Sequence, residues 1–412
     1  MRVPYGFKGA YVSQLWQVAV RLESPTGNSA VGLGTQSVLW ADSSVFAAHP
    51  EEQGNRLMYS LAVFALSLVE NRTFAGPPEL LAAILNPAWE YGRRITGNPG
   101  LRQAFVLNAL VPLDNAAWLL SARENGIASF DRMIPARYAP ALKFRHSRVA
   151  AVPVVSYNTP PEEITGLAAE GFFILKLKIG NPGAPREMLA KDLRQFEPVH
   201  RLVGDHRTPH TNDGRLCYYI DANGRYPDRE TLLEFLGRVE KIGALDRILL
   251  LEEPFSSREI SVRDLGVLVA ADELVERPED VGLAGQLGYR ALALKPAAKT
   301  FTLTLEVALA AHTAGLHCFC ADLTVNPVLA EWNRNVAARL APLPGLDMGL
   351  MESNGAQLYR DWPRLESYHP LGSASWRRPA EGVFRLEDSF YERNGGLFDV
   401  SSHYQGLFDL TD

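Results

Sequence analysis

The chain has 412 residues, 47% hydrophobic and 21% charged, with a formal net charge of -6. That length exceeds one ordinary domain and fits a barrel of about 250 residues with an accessory domain of about 150. Mild acidity without a basic patch argues against a nucleic-acid partner. There is no run of about 18 uncharged apolar residues, so no transmembrane helix is expected. MRVPYGFKGAYVSQ at the N-terminus has no signal-peptide pattern, which leads to an expectation of cytoplasmic residence. Cys217, Cys318 and Cys320, an odd count without metal spacing, read as reduced thiols.

In chain order, residues 11–39 read as a β-meander, with a PTGN turn between two alternating runs. Helical periodicity follows near 52–71, 77–95 and 101–124. Residues 1–145 therefore form an expected α+β capping domain, completed by a C-terminal segment (356–412) that returns to it. From 146 to 355 the rhythm is strand, helix, strand, helix. Continuous apolar strands are predicted at VAAVPVVSYN, FFILKLKIG, CYYIDANG, ILLLEEPF, VLVAADELV, ALALKPA, HCFCADLTV and LDMGLMES. Strands apolar on both faces are covered on both sides, and eight such units close a TIM-type (β/α) barrel, modified by its cap. A doubly wound open sheet is disfavoured, because no Gly-rich phosphate loop follows the first strand. The polar segment 201–216, with His206 and His210, is expected as a solvated loop at the N-terminal face.

Several of these strands end in charge. Asp221, Glu252 and Asp272 end three consecutive strands and converge at the C-terminal rim, where barrel chemistry sits. Three oxygen ligands without His or Cys suit Mg²⁺, with Mn²⁺ as a substitute, and argue against Zn²⁺. Lys176 and Lys178, two apart on one strand, share a face. Buried lysines are costly without a role. Lys295 ends the sixth strand, across the barrel. A carboxylate substrate held at the metal loses its α-proton readily, because the cation stabilises the enediolate. Crowding and burial are expected to lower the lysine pKa, suiting Lys178 as a base on one face with Lys295 on the other. Glu273 is expected to pair with Lys295.

Lys176-Leu177-Lys178, Asp221-Ala222-Asn223, Glu252-Glu253-Pro254, Asp272-Glu273 and Lys295 stand in the order of the enolase superfamily's motifs, and the chain resembles its muconate-lactonizing-enzyme subgroup. The resemblance implies Asp221, Glu252 and Asp272 as metal ligands, Lys178, Lys295 and Lys176 as catalytic lysines, and Asn223 and Glu273 in support. It also implies a homo-oligomer. The eighth strand departs from the family's dipeptide epimerases, reading Glu352-Ser353-Asn354 in place of an acid-x-acid pair. Asp322, Glu352 and Tyr157 are candidate substrate contacts. Tyr5, Phe7 and Tyr11 are candidates to close over the site. The expected activity is racemisation or epimerisation of a small carboxylate, an amino-acid derivative. Its alternatives are cycloisomerisation or syn dehydration of the muconate-lactonizing or o-succinylbenzoate-synthase type, and, from another class, a non-catalytic binding protein.

Overall fold

The computed structural model describes residues 1–409. The cap starts from two hairpins. Tyr5–Phe7 pairs with Ala10–Val12, and Trp16–Glu23 pairs antiparallel with Ser29–Gln36. Three long helices follow, at Glu51–Ser67, Pro77–Thr96 and Gln103–Glu124, close to the predicted spans.

The last of these is long and apolar enough to cross a membrane, but most of it is buried in the cap. It lies directly on the Ser29–Gln36 strand. A Cβ on Gly32 would stand 2.1 Å from the Pro112 carbonyl oxygen and 2.2 Å from the Ala116 nitrogen. Its polar interruptions have partners: Asn108 donates to the Thr35 carbonyl at 2.9 Å and Asn115 to the Leu33 carbonyl at 3.0 Å. Asp114 accepts from the backbone N–H and hydroxyl of Thr302, at 3.0 and 2.6 Å, which ties the cap to a barrel helix.

The barrel has eight parallel strands. The first is split at Pro153 into Arg148–Val152 and Val154–Val155, because proline has no N–H for the ladder. The others are Ile174–Lys178, Cys217–Asp221, Ile248–Glu252, Val269–Ala271, Ala291–Leu294, His317–Cys320 and Gly349–Glu352. Neighbours in this order are hydrogen-bonded. The lower half of the first strand pairs with the eighth and the upper half with the second, which closes the barrel. Stitching around the ring is uneven: the second and third strands share five register pairs, the seventh and eighth only one, Cys320 opposite Met351. A late strand, Val383–Arg385, adds antiparallel to Arg148–Val152.

Two connections differ from expectation. No helix forms between Glu252 and Val269; SVRDLG runs through turns. The 201–216 loop sits at the N-terminal face but is not simply solvated. His210 packs on Phe173 with ring centroids 4.9 Å apart, and the fully buried Arg247 donates to the carbonyls of Gly204 and Leu216. The loop closes the barrel floor because that guanidinium needs acceptors there.

Gly32→Ala must push the cap helix off its strand. We expect a loss of about 2–3 kcal/mol in urea unfolding, read as a lower midpoint with an unchanged slope.

Candidate active site at the barrel mouth

Parallel register gathers the charged strand ends. Lys178 lies opposite Asp221, and Asp221 opposite Glu252, on adjacent strands. The Lys176 Nζ stands 2.9 Å from a carboxylate oxygen of each of Asp221, Glu252 and Glu352, and 2.9 Å from the Tyr219 hydroxyl. Tyr219 itself donates to Glu252. Lys178 donates to Asp221 at 2.5 Å and to Asn223 Oδ1 at 3.2 Å. Across the mouth, Lys295 donates to Asp272 at 2.6 Å with its ammonium 4.6 Å from the centre of the Trp40 ring. Asn223 and Glu253 hold left-handed backbone angles, φ 46° and 38°, at the tips of the third and fourth strands. Asparagine tolerates that region and glutamate is strained in it, as is common where a rim positions functional groups.

The electrostatics follow from burial against charge. Burial raises the Asp221 carboxyl pKa, but Lys176 and Lys178 outweigh it and hold it down to about 2. Burial is likewise overcome at Asp272, held well below the carboxylate range by Lys295 and Lys299. Glu252 goes the other way: burial, with Asp221 adding to it, pushes it up to about 8. Asp322 rises to about 7 through burial and the nearby Glu352, against three backbone N–H donors.

Some expectations need correction. Glu273 does not pair with Lys295. It accepts from Lys8 of the cap at 3.4 Å and from Asn223 at 3.3 Å, while Lys295 takes the nearer Asp272. At Lys176 burial lowers the lysine pKa, but Asp221, Glu252 and Glu352 lift it above the ordinary lysine value in the ion-free site, and Lys295 rises in the same way beside Asp272. Tyr157 lies outside the lining of the mouth cavity. Its hydroxyl is bound to the Gly180 carbonyl at 3.0 Å, and its side chain lines a separate surface cavity with Lys191 and Arg194. Tyr11 is 46% exposed, whereas Tyr5 and Phe7 do line the mouth.

Sequence reasoning missed Lys299, Trp40 and Lys8. Lys299 donates to the Asp272 carbonyl at 2.6 Å, its carboxylate at 3.1 Å and the Val275 carbonyl at 3.0 Å, so all three ammonium protons are used. Its signal was present, a second lysine four residues after Lys295. Trp40 and Lys8 come from the cap and carried no local signal.

Could the rim hold a cation? Among the described residues, no three acids, imidazoles or thiols form a ready-made cage. Lysine ammoniums now occupy oxygens of Asp221, Glu252 and Asp272. Even so, the donor set is all oxygen, these ammoniums already mark positions where positive charge is favoured, and the buried Glu252 Oε1 has no hydrogen-bond partner. The residues fit a small hard cation that displaces lysine contacts. The remaining space is small, about 30 Å³, room for one water or so, lined by Lys176, Lys178 and Lys295 below and by Tyr5, Phe7 and Trp40 above.

No family model and no curated protein matches the sequence. Solved structures do match the fold. A mandelate racemase/muconate lactonizing protein from Herpetosiphon aurantiacus is 16% identical with a TM-score of 0.63, covering 94% of this chain and 92% of its own. A dipeptide epimerase from Cytophaga hutchinsonii, complexed with Mg and D-Ala-L-Val, is 15% identical with a TM-score of 0.60 over 87% and 84%. A 2-chloromuconate cycloisomerase from Rhodococcus opacus 1CP is 18% identical with a TM-score of 0.60 over 93% and 90%. The fold is thus the capped barrel of the mandelate racemase/muconate lactonizing proteins.

Because the folded-state pKa of Glu252 lies near 8 and an unfolded glutamate titrates near 4.3, its charging lowers stability as pH rises between those values. Glu252→Gln should therefore stabilise the ion-free protein by about 1 kcal/mol or more at pH 9 and have little effect at pH 4. Urea unfolding in EDTA at both pH values measures this, and an equal effect at the two would contradict it.

Proposed function

We propose that this protein is an isomerase of the enolase superfamily that removes the α-proton of a small carboxylate, with racemisation or epimerisation of an amino-acid derivative as its reaction. The observation that carries this is the cavity itself, lined by both Lys178 and Lys295, which reach it from the second and sixth strands. Similarity of fold to epimerases and racemases supports the same chemistry.

Asp221, Glu252 and Asp272 would hold Mg²⁺. When bound, the ion would supply positive charge for the developing negative charge on the substrate carboxylate. Lys178 takes the α-proton on its Nζ, and the C–H electron pair moves toward the carboxylate. Lys295 delivers a proton to the opposite face, so the pair ends one proton exchanged and resets through solvent. Lys176, wedged among Asp221, Glu252 and Glu352, holds Asp221 ionised and orients all three carboxyl groups. Tyr5, Phe7 and Trp40 exclude water, which strengthens each of these interactions. A second reading, cycloisomerisation or syn elimination with Lys295 as a fixed cation, rests on its position between Asp272 and the face of Trp40.

Calorimetry should show one Mg²⁺ site in the wild type and at least tenfold weaker binding in Asp221→Asn; unchanged binding would remove Asp221 from the metal site. In D₂O, deuterium should enter the α-position with inversion, and Lys178→Ala and Lys295→Ala should each lower turnover by about 10²–10⁴-fold. Full turnover by either variant would end the two-lysine mechanism. Product formed without deuterium wash-in would favour the second reading.

A further inference from the structure

Tyr157, which the mouth leaves out, belongs to a second cavity. This one lies on the outer wall of the barrel, between the helices Pro161–Ala169 and Pro185–Val203 that follow the first and second strands. Its volume is about 420 Å³, against about 30 Å³ at the mouth. Small-molecule sites span about 300–1,000 Å³, so the outer cavity has the size of one.

Its lining has a cationic end and an apolar end. Lys191 and Arg194 make the first, and among the described residues no acid lines any part of the cavity. Lys191 gives one proton to the Pro182 carbonyl at 2.7 Å and one to Glu187, a turn earlier and outside the lining, at 2.7 Å; its third is free. Arg194 makes no hydrogen bond or ion pair among the described residues, so its planar fork is open. The amides beside them are already used: Gln195 donates to the Ser156 carbonyl at 3.0 Å and accepts from Asn181 at 3.2 Å. At the other end stand Ile164, Val199 and Leu202, and Leu202 is 46% exposed.

The cavity wall is tied to the mouth through Tyr157. Its hydroxyl donates to the Gly180 carbonyl at 3.0 Å, two residues beyond Lys178, and accepts from the Gly9 N–H at 3.4 Å. Gly9 joins the two strands of the hairpin that sets Tyr5 and Phe7 over the mouth. We propose that this cavity is an effector site for an amphipathic carboxylate of medium chain length, which steadies Tyr157 and through it the Tyr5–Val12 hairpin. A carboxylate matches the open fork of Arg194, which an uncharged head would leave without a counter-charge. A cationic head would meet Lys191 and Arg194 with no acid in the lining. A ligand without a tail would leave Leu202 in water. The site lies outside the mouth and does not depend on the reaction there.

Calorimetry on the full chain in EDTA, with decanoate, decanol, acetate and decyltrimethylammonium, tests this. Decanoate should bind at one site, about tenfold or more tighter than each of the others. Arg194→Gln and Leu202→Gln should each weaken it by about fivefold or more, whereas Lys178→Ala should leave it unchanged, which separates this site from the mouth. Decanoate should also slow amide hydrogen exchange across residues 5–12. Tyr157→Phe keeps the ring and removes the hydroxyl bonds, so it should bind decanoate as the wild type does without slowing that exchange. No binding by decanoate, equal binding of decanol, full affinity in Arg194→Gln, or loss of binding in Lys178→Ala would overturn the site. Binding that leaves exchange in the hairpin unchanged, or slows it equally in Tyr157→Phe, would overturn the effector role.

Discussion

Four lysines and four acids are buried together at the mouth of this barrel: Lys176, Lys178, Lys295 and Lys299 against Asp221, Glu252, Asp272 and Glu352. Removing any one of them from water costs several kcal/mol, and only close, hydrogen-bonded counter-charges offset that. The surrounding architecture meets this constraint. Parallel register sets lysine beside acid on neighbouring strands, and the cap brings Trp40 over Lys295. Lys299 reaches back from the loop after the sixth strand to hold the end of the fifth. Glu252 is the member least well compensated, and it is pushed toward the neutral form while its neighbours Asp221 and Asp272 are held ionised.

Such a cluster contributes little net stability, since a well-packed apolar replacement does as well or better. Stability must come from elsewhere in the molecule, and two places stand out. One is the Gln103–Glu124 helix, seated on glycines so closely that no Cβ fits at Gly32. The other is the barrel floor, where Arg247 draws the 201–216 loop across the bottom of the strands. The apolar packing and the charged mouth are spatially distinct, so the mouth can keep an arrangement suited to reaction.

The barrel and its rim were legible in the sequence because their signals are local. An apolar run that ends in Asp, Glu or Lys announces both a strand and the position of its charge, and Lys176 and Lys178 share a face through the simple period of a strand. What was not legible depends on distance in the chain. The partner of Glu273 is Lys8, 265 residues away, and no pattern near Glu273 points to it. The absent helix after Glu252 and the split at Pro153 depend on tertiary packing and ladder geometry, which outrank local propensity. Lys299 was within reach of the sequence, but a lysine outside the strand proper gives no periodic signal.

The uneven stitching of the ring divides the mouth into two mechanically different parts. Lys176, Lys178, Asp221 and Glu252 sit where neighbouring strands are laced by several register pairs, so a substitution there disturbs sheet and charge together. Asp322 and Asn354 flank the seam where a single pair, Cys320 opposite Met351, joins the seventh and eighth strands, while Glu352 is also held opposite Val152 on the first strand. Side chains along a loosely laced seam can change with less effect on the ladder.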